Sequence, residues 1–159
     1  MVEKYHNHDK VYVHKEVLGN SLEGRPMDLL TISNRNKMTY EREELIDGLF
    51  PYHPKNTDID IGTERAFKFE KQTVFLTCRV HPGETPGQFV LNGIYKFLLD
   101  ETNQQARILM DLFVFKVIPC LNPDGVARGF YRLDTLNQNL NRYYLDPTAT
   151  EQPTILAAK

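Results

Sequence analysis

No apolar run in this chain approaches the ~20 residues needed to cross a bilayer; the longest, such as Val74 to Leu76 and Leu112 to Ile118, are far shorter. A transmembrane helix is therefore not expected. Cysteine is also scarce, with only Cys78 and Cys120 present, each in or beside an apolar strand-like run. Two are too few for a disulfide framework, and both read as buried thiols. Charge of one sign is missing as well: 19 basic and 21 acidic side chains leave a net charge of -2. That balance gives no support for a nucleic-acid partner or a membrane surface, so any charge-driven recognition must be local. The first ten residues, Met1 to Lys10, hold no apolar stretch of signal-peptide type. The expected location is cytoplasmic, with cytoskeletal or nuclear association as further options.

What is present describes one ordinary domain, 159 residues with 41% hydrophobic and 25% charged content. Val11 to Leu18 and Met27 to Ser33 are β-branched or apolar runs joined by a turn over residues 20–26, which predicts a hairpin. Leu45, Ile46 and Leu49 have helical spacing and predict a short helix over Glu43 to Phe50, followed by a loop rich in Pro, Asp and Asn over residues 51–62. Ala66 to Phe69 and Thr73 to Val80 read as strands, the second apolar on both faces and so central in a covered sheet. Thr85-Pro86-Gly87-Gln88 carries a helix-start signal, with Thr85 as N-cap and Gln88 closing a capping box. The helix runs to about Leu99 with a buried stripe of Phe89, Val90, Ile94, Phe97 and Leu98. A second helix from Gln104 to Met110 leads into a central strand, Leu112 to Pro119. The fold class is thus α/β, a partial mixed and partly parallel sheet flanked by helices. Pro153 to Lys159 has the look of a beginning helix.

Ligands of open α/β sheets bind beyond the carboxyl ends of the strands. Two unusual loops lie there. His81-Pro82-Gly83-Glu84 places an imidazole and a carboxylate three residues apart across a Pro-Gly turn, which lets both side chains meet at one metal ion. Spacing alone also permits a plain turn in which Glu84 favours the positive end of the following helix. After the next strand come Asn122-Pro123-Asp124-Gly125, Arg132 and Asn141-Arg142, three further polar groups. An arginine can stabilise a developing oxyanion, and an Asn-Arg pair can grip a terminal carboxylate. Taken singly, Arg128, Arg132 and Arg142 read equally as a solvated cationic patch.

In combination, Arg79 to Pro86, Phe113 to Val126 with Arg128 to Arg132, and Asn139 to Tyr143 resemble the zinc metallocarboxypeptidases of the carboxypeptidase A type. The resemblance is closer to the cytosolic carboxypeptidases that remove glutamates from tubulin. It implies that His81 and Glu84 bind zinc, that Arg132 stabilises the oxyanion, and that Asn141 and Arg142 clamp the substrate's terminal carboxylate. The implied partners are glutamate-rich protein tails, with tubulin the foremost. The family's third ligand, a histidine, and its general-base glutamate have no counterpart in this sequence. His6, His8, His14 and His53 lie on surface-like segments remote from the motif. Residues 1–159 therefore correspond to the N-terminal half of a catalytic domain, without the β-sandwich domain that precedes it in cytosolic carboxypeptidases, and are expected to be inactive alone. Where the family has glycine before Asn-Leu-Asn-Arg this chain has Leu136-Asn137-Gln138, and asparagine tolerates the left-handed backbone required there. Two rival readings stay open: a binding module that holds acidic tails without cutting them, and a fragment whose exposed apolar sheet edge aggregates.

Overall fold

The computed structural model describes Tyr5, residues 8–53 and residues 64–159. His6 and most of the expected 51–62 loop lie outside them. Alternating apolar residues make β1 (Val11–Asn20) and β2 (Pro26–Asn34), which pair antiparallel with a bulge between Val17 and Gly19. The hairpin expectation holds. β2 then pairs antiparallel with the central strand β6 (Phe113–Ile118), and β6 pairs in parallel with β5 (Gln72–Thr77), giving a sheet of order β1-β2-β6-β5. A two-stranded ribbon of β3 (Met38–Arg42) and β4 (Phe67–Phe69) stands apart; β3 carries too little apolar alternation to be anticipated.

Between the parallel strands run α1 (Thr85–Leu98) and α2 (Gln104–Leu112). Two short helices follow, α3 (Pro123–Ala127) and α4 (Pro153–Ala158). One sheet face packs on α1 and α2 through a core that includes Val13, Ile32, Leu91, Tyr95, Met110 and Val117. The other holds a second cluster of Leu18, Met27, Leu29, Phe50, Ile118 and Leu121, against which Ala157 of α4 packs. No helix among the described residues is long and apolar enough to cross a membrane.

Several expectations need correction. Glu43 to Phe50 is not helical, because Gly48 (φ 77°) and Phe50 (φ 54°) turn the chain left-handed and drop Phe50 into the second core. β5 is an edge strand within the described residues, ends at Thr77 rather than Val80, and leaves Phe75 48% exposed. The N-cap of α1 is Glu84, not Thr85, and no side chain caps that end. Its buried stripe is Leu91, Tyr95 and Leu98, while Phe89 and Val90 face outward at 75% and 64% exposure. Cys78 and Cys120 are free and only half-buried.

Candidate metal and carboxylate site

The loop after β5 is where the parallel register matters. Because Thr77 lies beside Ile118, the residues that follow each strand meet at one edge, joined by backbone bonds from Leu121 N–H to Cys78 O (2.9 Å) and Asn122 N–H to Arg79 O (3.1 Å). Arg79 itself adopts φ 57°, a left-handed conformation disfavoured for a side chain of this size, and its Nε donates to the carbonyl of Pro82 at 3.0 Å. Strain of this kind persists only where surroundings over-determine it. The chain is thereby forced back on itself just ahead of His81.

Two glycines then allow close packing. A Cβ on Gly83 would lie 2.7 Å from the carbonyl oxygen of Tyr131, which accepts the Gly83 N–H at the same distance. A Cβ on Gly125 would lie 2.4 Å from Cγ of Pro82. The His-Pro-Gly-Glu loop is thus wedged between α3 and the segment leading to Arg132.

His81 is buried and Glu84 is exposed, with the His81 Nδ1 to Glu84 Oε1 distance 2.8 Å. The other ring nitrogen, Nε2, lies 2.9 Å from Oδ1 of Asn139. That oxygen also accepts the backbone N–H of Asn141 at 3.2 Å, so it is an acceptor and Nε2 must be the proton donor. Nδ1 then meets the Glu84 carboxylate either through a proton of its own or, with that proton displaced, as a second lone-pair donor beside it. An imidazole nitrogen and a carboxylate oxygen converging under a fixed tautomer suit a divalent ion such as zinc. Burial pushes the nearby Cys78 thiol up, away from the thiolate form.

The remaining sequence candidates are sorted by their neighbours. Arg132 follows Tyr131, so its backbone is held against the His81 loop, and its side chain is exposed. Asn141 and Arg142 form a single 3-10 turn (Leu140–Arg142) started by Asn139, and both are exposed. None of the three bonds His81 or Glu84 directly. Asn137 takes φ 61°, as expected for the turn that precedes them. Asn122-Pro123-Asp124-Gly125 is different from what the sequence suggested. Asn122 caps α3 by accepting the Gly125 N–H at 2.9 Å, and the buried Asp124 accepts from Ser21 Oγ (2.6 Å) and Arg25 Nη1 (2.8 Å). That loop is consumed in folding rather than offered to a ligand. Arg128 is likewise not a free cation but is paired with Glu23. Asn139 and the Tyr131 carbonyl were missed, since neither a lone Asn in an Asn-rich stretch nor a backbone atom leaves a signal in sequence.

A sequence model described as zinc carboxypeptidase matches residues 1–150. Cytosolic carboxypeptidase-like protein 5 of Rattus norvegicus is 48% identical over 152 residues, which is 95% of this chain and 17% of that protein. Cytosolic carboxypeptidase 6 of Mus musculus is 38% identical over 148 residues, 93% of this chain and 22% of that protein. The chain thus spans about a fifth or less of the length of these two relatives. Among solved structures, a putative carboxypeptidase A from Shewanella denitrificans superposes with a TM-score of 0.69 at 26% identity, over 98% of this chain and 32% of that one. A metallo-carboxypeptidase from Burkholderia cenocepacia gives 0.66 at 29% identity, over 91% of this chain and 31% of its own.

Proposed function

The chain belongs to the zinc carboxypeptidase family, and on that premise we propose that it furnishes part of a metal-dependent exopeptidase site acting in the cytoplasm on glutamate-rich protein tails such as those of tubulin. The observation that carries the reading is the His81–Glu84 pair, an imidazole nitrogen and a carboxylate brought to within 2.8 Å of each other at the sheet edge, with the other ring nitrogen engaged by Asn139. In this reading His81 through Nδ1 and Glu84 through its carboxylate hold zinc. Bound there, zinc supplies a Lewis acid for the scissile carbonyl and acidifies a water molecule. Asn139 keeps the His81 proton on Nε2, so that Nδ1 remains free to coordinate. Arg132 donates to the oxygen on which negative charge accumulates, and Asn141 with Arg142 receives the terminal carboxylate by charge-assisted bonds. The preference for glutamate is supported by the exposed guanidinium groups of Arg132 and Arg142.

Among the described residues no group of three His, Cys, Asp or Glu could hold a metal. The described residues therefore supply neither a third ligand nor a general base beside His81 and Glu84, and the chain alone is expected to bind zinc weakly and to turn over no substrate. Calorimetric titration of the 159-residue protein with zinc checks this: weak single-site binding is expected, abolished in both His81→Gln and Glu84→Gln. Unchanged affinity in the two variants would move the metal elsewhere, and release of glutamate from a polyglutamylated peptide by the wild-type chain would show that two ligands suffice. A second reading, a module that grips acidic tails without cutting them, draws on the exposed Asn141-Arg142 turn. Peptide binding that is lost in Arg142→Ala yet indifferent to chelator favours it.

A further inference from the structure

The turn between β1 and β2 reaches across to α3, and there a glutamate side chain sits between two guanidinium groups. Glu23 Oε1 accepts from Nε of Arg128 at 2.6 Å and also from Nη2 of the same residue, while its Oε2 accepts from Nη1 of Arg25. One carboxylate oxygen shared by Nε and Nη2 of one arginine, with the other oxygen held by a second arginine, is a site built from charge-assisted bonds that any carboxylate could fill. The turn does not need that side chain. Asp124 fixes it independently, through Ser21 Oγ (2.6 Å), the Glu23 backbone N–H (3.1 Å) and Arg25 Nη1 (2.8 Å). Glu23 can leave without unfolding the hairpin, and Arg128, 53% exposed with Glu23 as its ion-pair partner among the described residues, would then present an empty fork. Arg128 is also close to the metal loop. Only two residues separate it from Tyr131, whose carbonyl holds Gly83, so the two Cα atoms, three positions apart, are at most about 11 Å from each other.

We propose that Arg128 and Arg25 form a subsite for a side-chain carboxylate of an acidic peptide, occupied in the free protein by Glu23 and vacated when a substrate glutamate takes its place. The proposal rests on the reading of the site as one for glutamate-rich tails. It extends that reading from the residue being removed to a residue upstream of it, within reach of about three extended positions. The contact is an exposed ion pair, worth little by itself, so exchanging one carboxylate for another is nearly neutral and the internal glutamate acts as a weak competitor.

Fluorescence anisotropy of a labelled hexaglutamate peptide on the 159-residue chain, at low ionic strength, tests this. Glu23→Gln is expected to tighten binding about two- to fivefold, Arg128→Gln to weaken it, and the double variant to match Arg128→Gln. Glu70→Gln, an equal change of charge on an exposed residue outside the turn, controls for general attraction and is expected to have no such effect. Glu23→Gln that leaves the affinity unchanged or weakens it overturns the subsite, as does equal tightening by Glu70→Gln. Arg142→Ala separates the two readings. Binding that needs Arg142 but ignores Glu23 keeps the terminal-carboxylate clamp and removes the subsite, whereas binding that responds to Glu23 but ignores Arg142 does the reverse.

Discussion

At His81 the two ring nitrogens are unequal because Asn139 claims one of them. Removing the outer partner of a metal-binding histidine commonly lowers metal affinity by 10–100-fold. Asn139→Ala is accordingly expected to weaken zinc binding by about that factor, whereas Asn139→Asp, which keeps an oxygen acceptor, retains most of it; calorimetry on both variants checks the contrast. The residue scale is also where the sequence was most and least readable. His81 and Glu84 announced themselves by spacing, since three residues across Pro-Gly is a local geometry. Asn137 was legible for the same reason, its left-handed φ being a property of the residue and its turn. Asp124 misled, because a carboxylate in a polar loop looks the same whether it faces a ligand or, as here, Ser21 and Arg25. The partner that decides the matter is 103 residues away.

Helices α1 and α2 begin in opposite ways, and stability should report it. Asn103 caps α2, its side chain accepting from Gln105 N–H (3.0 Å) and Ala106 N–H (3.2 Å). Thr85 caps nothing, and the α1 N-terminus has no side-chain cap. Asn103→Ala is expected to cost about 1 kcal/mol and Thr85→Ala close to nothing, read from urea unfolding midpoints. The sequence suggested the reverse emphasis. Thr-Pro-Gly-Gln satisfies a capping pattern, but the backbone starts the helix one residue earlier than the pattern assumes. The phase of α1 shifted with it: Phe89 and Val90 are as apolar as Leu91, and only the sheet beneath selects Leu91, Tyr95 and Leu98. Element existence and order were otherwise legible, because 3.6- and 2-residue periods survive over ten or more positions. Strand β3 was not, since Met38 to Arg42 buries no alternate side chain and so shows no two-residue period.

For the molecule as a whole, the two sheet faces are not equivalent. The face toward α1 and α2 is apolar, whereas the other carries a buried ionic group in which Glu16 meets Arg65 at 2.5 Å and Lys116 meets Glu43 at 2.6 Å. His14 on β1 is half-buried beside this group and donates from Nε2 to the carbonyl of Glu64 at 2.7 Å. Burial, ahead of the nearby cations Arg42 and Lys116, holds its pKa below the ordinary value. The unfolded chain therefore takes up a proton first as pH falls, and stability contributed by neutral His14 is full above about pH 6.5 and lost below it. Acid unfolding of wild type and His14→Gln, compared between pH 7 and pH 5, should show the shallower slope in the variant. Topology also orders events in time. His81 and Asn139 are 58 residues apart, and contacts of such separation form only after the loop between them has closed. Until β6 has docked and the chain has returned past Tyr131, the His81 proton is free to sit on either nitrogen. The part of the metal affinity that comes from Asn139 is thus acquired late, as a by-product of completed folding.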